Sequence, residues 1–139
     1  MDKALNYLAL ARKAGRAELG EEPVGAAARA LHAHLILVAA DASDHTWRRA
    51  KSFAAGTDQQ TVRVPYTKDE LGMAIGRTSL AMAAVTDAAM ALAMLNALPQ
   101  PEKYSQSAQI LEDKVKRLKQ RQSEAKAHRR NTRKGKKKQ

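Results

Sequence analysis

Asp41 is the residue of this sequence best placed to do chemistry, because it directly follows the apolar run at 35–40. Open α/β sheets hold ligands just past the carboxyl ends of such strands, where a carboxylate can act as acid, base or anchor. The partners such a group needs are missing. The sequence has no Walker loop, no G-x-G-x-x-G after a strand and no G-x-S-x-G elbow. The simpler reading of Asp41 is a turn or helix-capping residue, and Asp87 reads the same way. His32, His34, His45 and His128 do not fall at helix-face metal spacing. His32 and His34 can share one side of an extended segment, but two histidines without a carboxylate partner make a weak metal site. With no Cys, thiol nucleophiles, cysteine zinc sites and disulfides are excluded together. The expectation is a protein that is not an enzyme and carries no cofactor or metal.

Charge points elsewhere. The net charge is +11, and residues 99–139 hold 14 of the 25 Lys and Arg but 4 of the 14 Asp and Glu. That segment therefore carries +10, and residues 1–98 carry +1. A nearly neutral body with a concentrated basic tail favours polyanions, through counterion release on nucleic acid or surface potential on membranes. The plainer reading is a solubilising tail. A second candidate is Trp47, followed by Arg48, Arg49 and Lys51, which suits a base stacked on the indole with cations on phosphate. A Trp partly packed on an otherwise solvated basic face is the preferred reading.

The elements that must position these residues follow from periodicity. Leu5, Leu8 and Ala11 share a helical face ahead of Gly15, and residues 17–19 suit a short strand. Gly20 can turn, and Pro23 suits the first turn of a helix running to about residue 32, with Val24, Ala27, Ala28 and Leu31 on one face. The run at 35–40 reads as a strand buried on both faces, and Ser43 caps a helix to about residue 54. A strand is expected at 61–64, a helix from Thr67 or Asp69 to Ile75, a strand at 79–85 and a helix from Asp87 to about Leu98. Gly72 and Gly76 suit a short helix that packs closely and then turns sharply, which leaves Arg77 and Thr78 exposed in a loop.

Strands alternating with helices imply a three-layer α/β/α sandwich with a small mixed sheet over residues 1–98. After the proline-rich break at 99–101, Leu111, Val115 and Leu118 form a short stripe on a helix over about 107–125. Glu112–Lys116 and Asp113–Arg117 pair in the favourable i, i+4 order. From about Ala125 there is no apolar pattern, so that end is expected to be disordered until something negative binds. No apolar run approaches the ~20 residues that span a bilayer. The N-terminus reads as amphipathic rather than as a basic start followed by an apolar block with a cleavage site, so no signal peptide is expected. A cytoplasmic monomer without a membrane partner is expected.

Four stretches, "LALARKAGRAELGEE", "HLILVAADAS", "KDELGMAIGR" and "AVTDAAMALAML", occur in an order and spacing that resembles ribosomal proteins of the L-seven-Ae / L-thirty-e type. The likeness is closest to the short bacterial members and covers residues 3 to 97. It implies an α/β/α protein that binds RNA, often at kink-turns, on the ribosome or in another ribonucleoprotein. In the kink-turn binders a glycine precedes Asn-Glu and, one turn later, Lys, which read base edges and phosphates beside sheared G·A pairs. Here Gly20 matches the glycine, while Glu22, Pro23 and Ala26 stand at the other three positions. An ionised Glu22 accepts but cannot donate, Pro23 has no polar side chain, and Ala26 lacks the cation.

The resemblance implies an RNA-facing edge made of Gly20, Glu21, Glu22, Asp41, Gly76, Arg77 and Thr78. The tail adds Arg117, Arg121, Arg129, Arg130, Arg133 and Lys134 as phosphate contacts with little sequence preference. Two other classes stay open. One is a protein-interaction module docking through Leu111, Val115 and Leu118. The other is a small-ligand or enzymatic role at Asp41.

Overall fold

A computed structural model describes the backbone of residues 2–137 and side chains as far as Arg130. Helix α1 (Lys3–Lys13) starts where the Asp2 carboxylate accepts from Ala4 N at 2.8 Å, and Arg12 and Lys13 favour its C-terminal dipole. Gly15 at φ 70° turns the chain into strand β1 (Ala17–Leu19). Helix α2 (Glu21–Arg29), strand β2 (Leu35–Val38), helix α3 (Asp44–Ala54) and strand β3 (Gln60–Arg63) follow. Helix α4 (Lys68–Ala74), strand β4 (Met82–Val85) and helix α5 (Ala88–Asn96) complete the body. Each expected element of residues 1–98 is present, although α2 ends at Arg29 and leaves Leu31 outside its apolar face, exposed at φ 62°. Ser43, Thr67 and Asp87 cap α3, α4 and α5 through their side chains, and Thr67 and Glu70 form a reciprocal capping box.

The sheet order is β1-β4-β2-β3, with β2 and β3 parallel and both β4 pairings antiparallel. Helices α2 and α3 pack together on one face, and α1, α4 and α5 on the other, which makes three layers. All four residues of β2 and of β4 are buried, as a strand covered on both faces requires. With one Phe and one Trp in the chain, the core is built mainly from Leu8, Leu35, Ile36, Leu37, Leu71, Met82, Met94 and Leu95. Each such side chain contributes about 1.5–3 kcal/mol on burial. Among the described residues, Gln59 is the buried polar residue of the body. Its Oε1 accepts from Ala33 N at 2.9 Å and its Nε2 donates to Ala28 O at 3.2 Å, which pins the end of α2 beside β3.

Two features of the C-terminal segment differ from the sequence reading. A 3₁₀ turn (Pro101–Tyr104) leads into helix α6 (Ser105–Lys137), which starts earlier than expected and continues as far as Lys137 into the segment expected to be disordered, whose last two residues lie outside the described ones. From Ser105 to Arg130 the sequence has neither Gly nor Pro and is dominated by Gln, Lys, Arg, Ala and Glu, all good helix formers. The start of α6 also belongs to the body. Leu111 is completely buried in the common core and α6 packs along α5. The stripe proposed to dock a partner is thus largely consumed inside the chain, with Val115 half-buried and only Leu118 exposed. Glu112–Lys116 pairs at 3.6 Å as expected, but Arg117 turns to Asp58 at 3.8 Å and Asp113 accepts from Gln109 at 3.1 Å.

Candidate functional site

Strand register gathers most of the predicted residues at one end of the sheet. Gly20 N donates to Met82 O at 2.9 Å, and Ala39 N donates to Ala81 O at 3.0 Å. The carboxyl ends of β1 and β2 therefore meet the amino end of β4. Gly20, Glu21 and Glu22 lie at this end, as do Asp41 just past β2 and the loop with Gly76, Arg77 and Thr78 just before β4.

Gly20 has φ 95°, in the region open to glycine, and supplies no side-chain cap to α2. Val24 N donates to Gly20 O at 3.0 Å, and Pro23 has no N–H. The amides of Glu21 and Glu22 thus form the polar entrance of the helix. Their carboxylates favour the helix dipole but work against any external anion. Both carboxylates are exposed, and Glu21 is partly neutralised by Arg49 Nε at 2.6 Å.

The opposite wall is fixed by two glycines. A Cβ on Gly72 would lie 2.7 Å from Ser79 N and 2.9 Å from Arg77 O, so only glycine lets the loop fold back onto α4. Gly76 at φ 74° makes the sharp turn that follows. Arg77 N donates to Gly72 O at 2.8 Å, and the exposed Arg77 and Thr78 project from the loop. Asp41 serves as a cap rather than as a lone chemical group, and on a different helix from the one that follows it. Its Oδ1 accepts from Lys68 N at 2.8 Å in the first turn of α4, while Leu80 N donates to Lys68 O at 2.9 Å. Asp41 thereby ties the end of β2 to the loop before β4.

Between α2 and α3 the sequence reading missed an open, polar hollow of about 430 Å³ lined by Glu21, Glu22, Gly25, Arg29, Arg49 and Phe53. The Arg49 guanidinium lies 5.3 Å from the Phe53 ring centroid. A Cβ on Gly25 would come within 3.0 Å of that ring, which is what the otherwise odd mid-helix glycine signals. Trp47 takes the packed reading. It is half-buried against the core, with Arg63 at 4.9 Å and Lys51 at 5.4 Å from its ring. Among the described residues no group of three His, Cys, Asp or Glu is arranged to hold a metal ion.

The tail residues lie elsewhere. Tyr104 OH donates to Arg63 O at 3.4 Å, Ser107 Oγ donates to Gln60 Oε1 at 2.8 Å, and Lys114 Nζ donates to Asp58 Oδ1 at 3.0 Å. Helix α6 thus runs back along β3 from its carboxyl to its amino end, away from Gly20 and Arg77. Arg117 is beside Asp58, while Arg121, Arg129 and Arg130 are exposed farther along. Arg133 and Lys134 lie beyond the described side chains. Lys114 donates to the Asp58 carboxylate and holds it below its ordinary pKa. Burial, reinforced by the Lys114 charge, lowers the pKa of His34, whose Nδ1 is buried without a hydrogen-bond partner. Among the described residues no helix is long and apolar enough to cross a membrane.

The architecture defines a class, the small α/β/α sandwich with a four-stranded mixed sheet. No protein-family model matches the sequence, and no curated protein matches it. Solved structures do. A protein of unknown function from Bacillus halodurans superposes with a TM-score of 0.62 at 23% identity, over 81% of this chain and 99% of that one. The Giardia lamblia 15.5kD RNA binding protein superposes with a TM-score of 0.53 at 17% identity, over 74% of this chain and 85% of that one. At these identities the likeness establishes the shared fold.

Proposed function

We propose that this chain is a non-catalytic RNA-binding protein of the L-seven-Ae / L-thirty-e type, acting as a cytoplasmic monomer in association with the ribosome or translation. The observation that carries the reading is the hydrogen bond from Gly20 N to Met82 O, which sets the turn at 20–22 at the same end of the sheet as the loop at 76–78. This puts one exposed cation, Arg77, and the α2 entrance on the same edge of a fold shared with an RNA binding protein. The basic C-terminal segment supports the same partner class, because 14 cations in 41 residues suit phosphate.

The edge is a weak reader by its own chemistry. Glu22 stands where a kink-turn binder places Asn, and Ala26 leaves no cation one turn into α2. Glu22 can accept from a guanine edge while Arg77 approaches backbone phosphate. Most of the affinity then comes from the tail, with little sequence preference. The protein-docking alternative loses its support with Leu111 buried, and the small-ligand alternative loses its own with Asp41 engaged on Lys68 N.

Fluorescence anisotropy across a salt series tests the reading. The RNAs are a kink-turn, the same strand with its G·A pairs disrupted, and a plain duplex. The proteins are the full chain and the full chain with Lys119, Lys126, Arg129 and Arg130 changed to Gln. Binding of the full chain to all three, with a steep salt slope that the Gln variant flattens, is the expected result. Failure to bind any of them at moderate salt would sink it.

A further inference from the structure

We infer that the chain carries two separate RNA sites at opposite ends of its sheet and bridges two RNA segments. The inference rests on the RNA-binding reading above and adds a geometry that the reading does not require. Strand β4 runs from Met82, beside Gly20, to Val85, which leads to Asp87 at the start of α5. Helix α6 meets that far end, with Val115, Leu118, Lys119 and Gln122 lying against Asp87 and Ala88. The helix therefore leaves the body on the side opposite the α2 entrance and Arg77. From Leu118 to Lys137 it extends for ~28 Å at 1.5 Å per residue.

This projecting part has the chemistry of a site in its own right. Between Leu118 and Lys137 the sequence holds nine Lys and Arg and one acid, Glu124. Lys119, Lys126 and Arg130 are spaced by seven and four residues, and the sequence continues the spacing at Arg133 and Lys137. At 3.6 residues per turn Lys119, Lys126 and Arg130 share one face. Gln120, Glu124 and Ala127 flank the stripe on one side, and Arg121 lies opposite it. Every residue from Lys116 to Arg130 is exposed, and Lys126 and Arg130 lie open to solvent beyond the body. Like charges at i, i+4, as at Lys126 and Arg130, repel one another and are relieved by phosphate. The segment past Leu118 has no apolar face to enter a bilayer, which favours nucleic acid over lipid. Because a straight cationic stripe offers charge without base-reading groups, its ligand is the phosphate backbone of a duplex.

The body edge and the helix differ in what they can read. One offers shape and a few polar groups at a turn, and the other offers charge alone. Linking them in one chain turns the second binding event into a local one for any RNA held nearby.

The test uses a donor-labelled stem with an asymmetric internal loop flanked by G·A pairs and an acceptor-labelled plain RNA duplex. Anisotropy reports each RNA alone, and energy transfer reports both on one protein. The expected result is transfer that rises toward equimolar full-length protein and falls again in excess protein, as separate molecules occupy each RNA. The variant K119Q/K126Q/R129Q/R130Q loses at least about tenfold in duplex affinity, loses less on the looped stem, so that it prefers the looped stem at low salt, and loses the transfer. The variant R77E keeps the duplex and also loses the transfer. Transfer undiminished in R77E would mean that the tail merely clusters RNA, and would overturn the proposal. Tight binding of both RNAs with no transfer would place them on one shared surface, with the same consequence. If neither RNA binds alone, the RNA reading itself fails, and bridging with it.

Discussion

Lys114 Nζ lies 3.0 Å from Asp58 Oδ1, across 56 residues of sequence, and that contact marks where the C-terminal segment stops being an appendage. Asp58 also has Arg117 at 3.8 Å, so one exposed carboxylate receives two cations from α6. Surface pairs of this kind are worth at most about 1 kcal/mol. They orient the helix, while the fully buried Leu111 between the layers supplies the energy that holds it.

Leu111→Asp should accordingly act on folding. A carboxylate forced into a site with no exposure is expected to lower stability by about 3–5 kcal/mol, a large share of the stability of a small domain. Leu118→Asp, at a position already 38% exposed, should change stability by less than about 1 kcal/mol. Urea titrations of the two variants check the contrast. Equal and small effects would mean that α6 does not dock as described.

Gly72→Ala tests the wall of the edge. The new Cβ would meet backbone atoms of Ser79 at 2.7 and 2.8 Å, which cannot move without shifting the loop that carries Arg77. A loss of about 1–3 kcal/mol is expected, together with amide shift changes concentrated at 76–80. Gly15→Ala gives the comparison. Its Cβ has open space, so only the left-handed φ of 70° opposes it, and the loop at 76–80 should be untouched.

Acid should weaken the protein through His34. Its pKa in the folded chain lies below the ordinary 6.5, because burial and the Lys114 charge disfavour the imidazolium. The unfolded chain therefore takes up this proton first as pH falls through 6.5, and stability drops until the lower folded pKa is passed. Asp58 acts in a separate window. Its folded pKa lies below 3.8, so its contribution is constant at neutral pH and is lost only in stronger acid. Denaturant midpoints at pH 7.5 and 5.5 should differ for the wild type, and the difference should shrink in His34→Gln.

Much of this fold was legible in local chemistry. Ser43, Thr67 and Asp87 stand where cap residues belong, and the apolar runs at 35–40 and 79–85 have the composition of doubly covered strands. Gly72 and Gly76 announced a close approach and a turn, and both are present. The long-range relationships were not legible. Nothing adjacent to Leu111 says that α5 will cover it, because a three-residue stripe is equally consistent with an internal or an external partner. Asp41 was readable as a cap, but its helix is α4, reached only through the parallel pairing of β2 and β3. The direction of α6, away from the loop that carries Arg77, follows from contacts 40 to 60 residues apart in sequence.

Glu22 is where the edge can be improved rather than broken. It is exposed, carries no ion pair among the described residues and sits at the α2 entrance, where the helix dipole would otherwise favour an anion. A carboxylate ~4 Å from an incoming phosphate costs about 1 kcal/mol in water-like surroundings, and more where RNA excludes solvent. Glu22→Gln removes that repulsion, keeps an accepting oxygen and adds a donor, at a loss of about 0.3–1 kcal/mol in helix-dipole stabilisation. Affinity for the looped stem at low salt should rise about fivefold, while affinity for the plain duplex, held by α6, should stay within about twofold. Glu21→Gln should gain less, because Arg49 already screens that carboxylate at 2.6 Å and would be released by the change. Anisotropy titrations of both variants on both RNAs decide it. An equal gain on the two RNAs would put the repulsion in the overall charge of the protein and not at the edge.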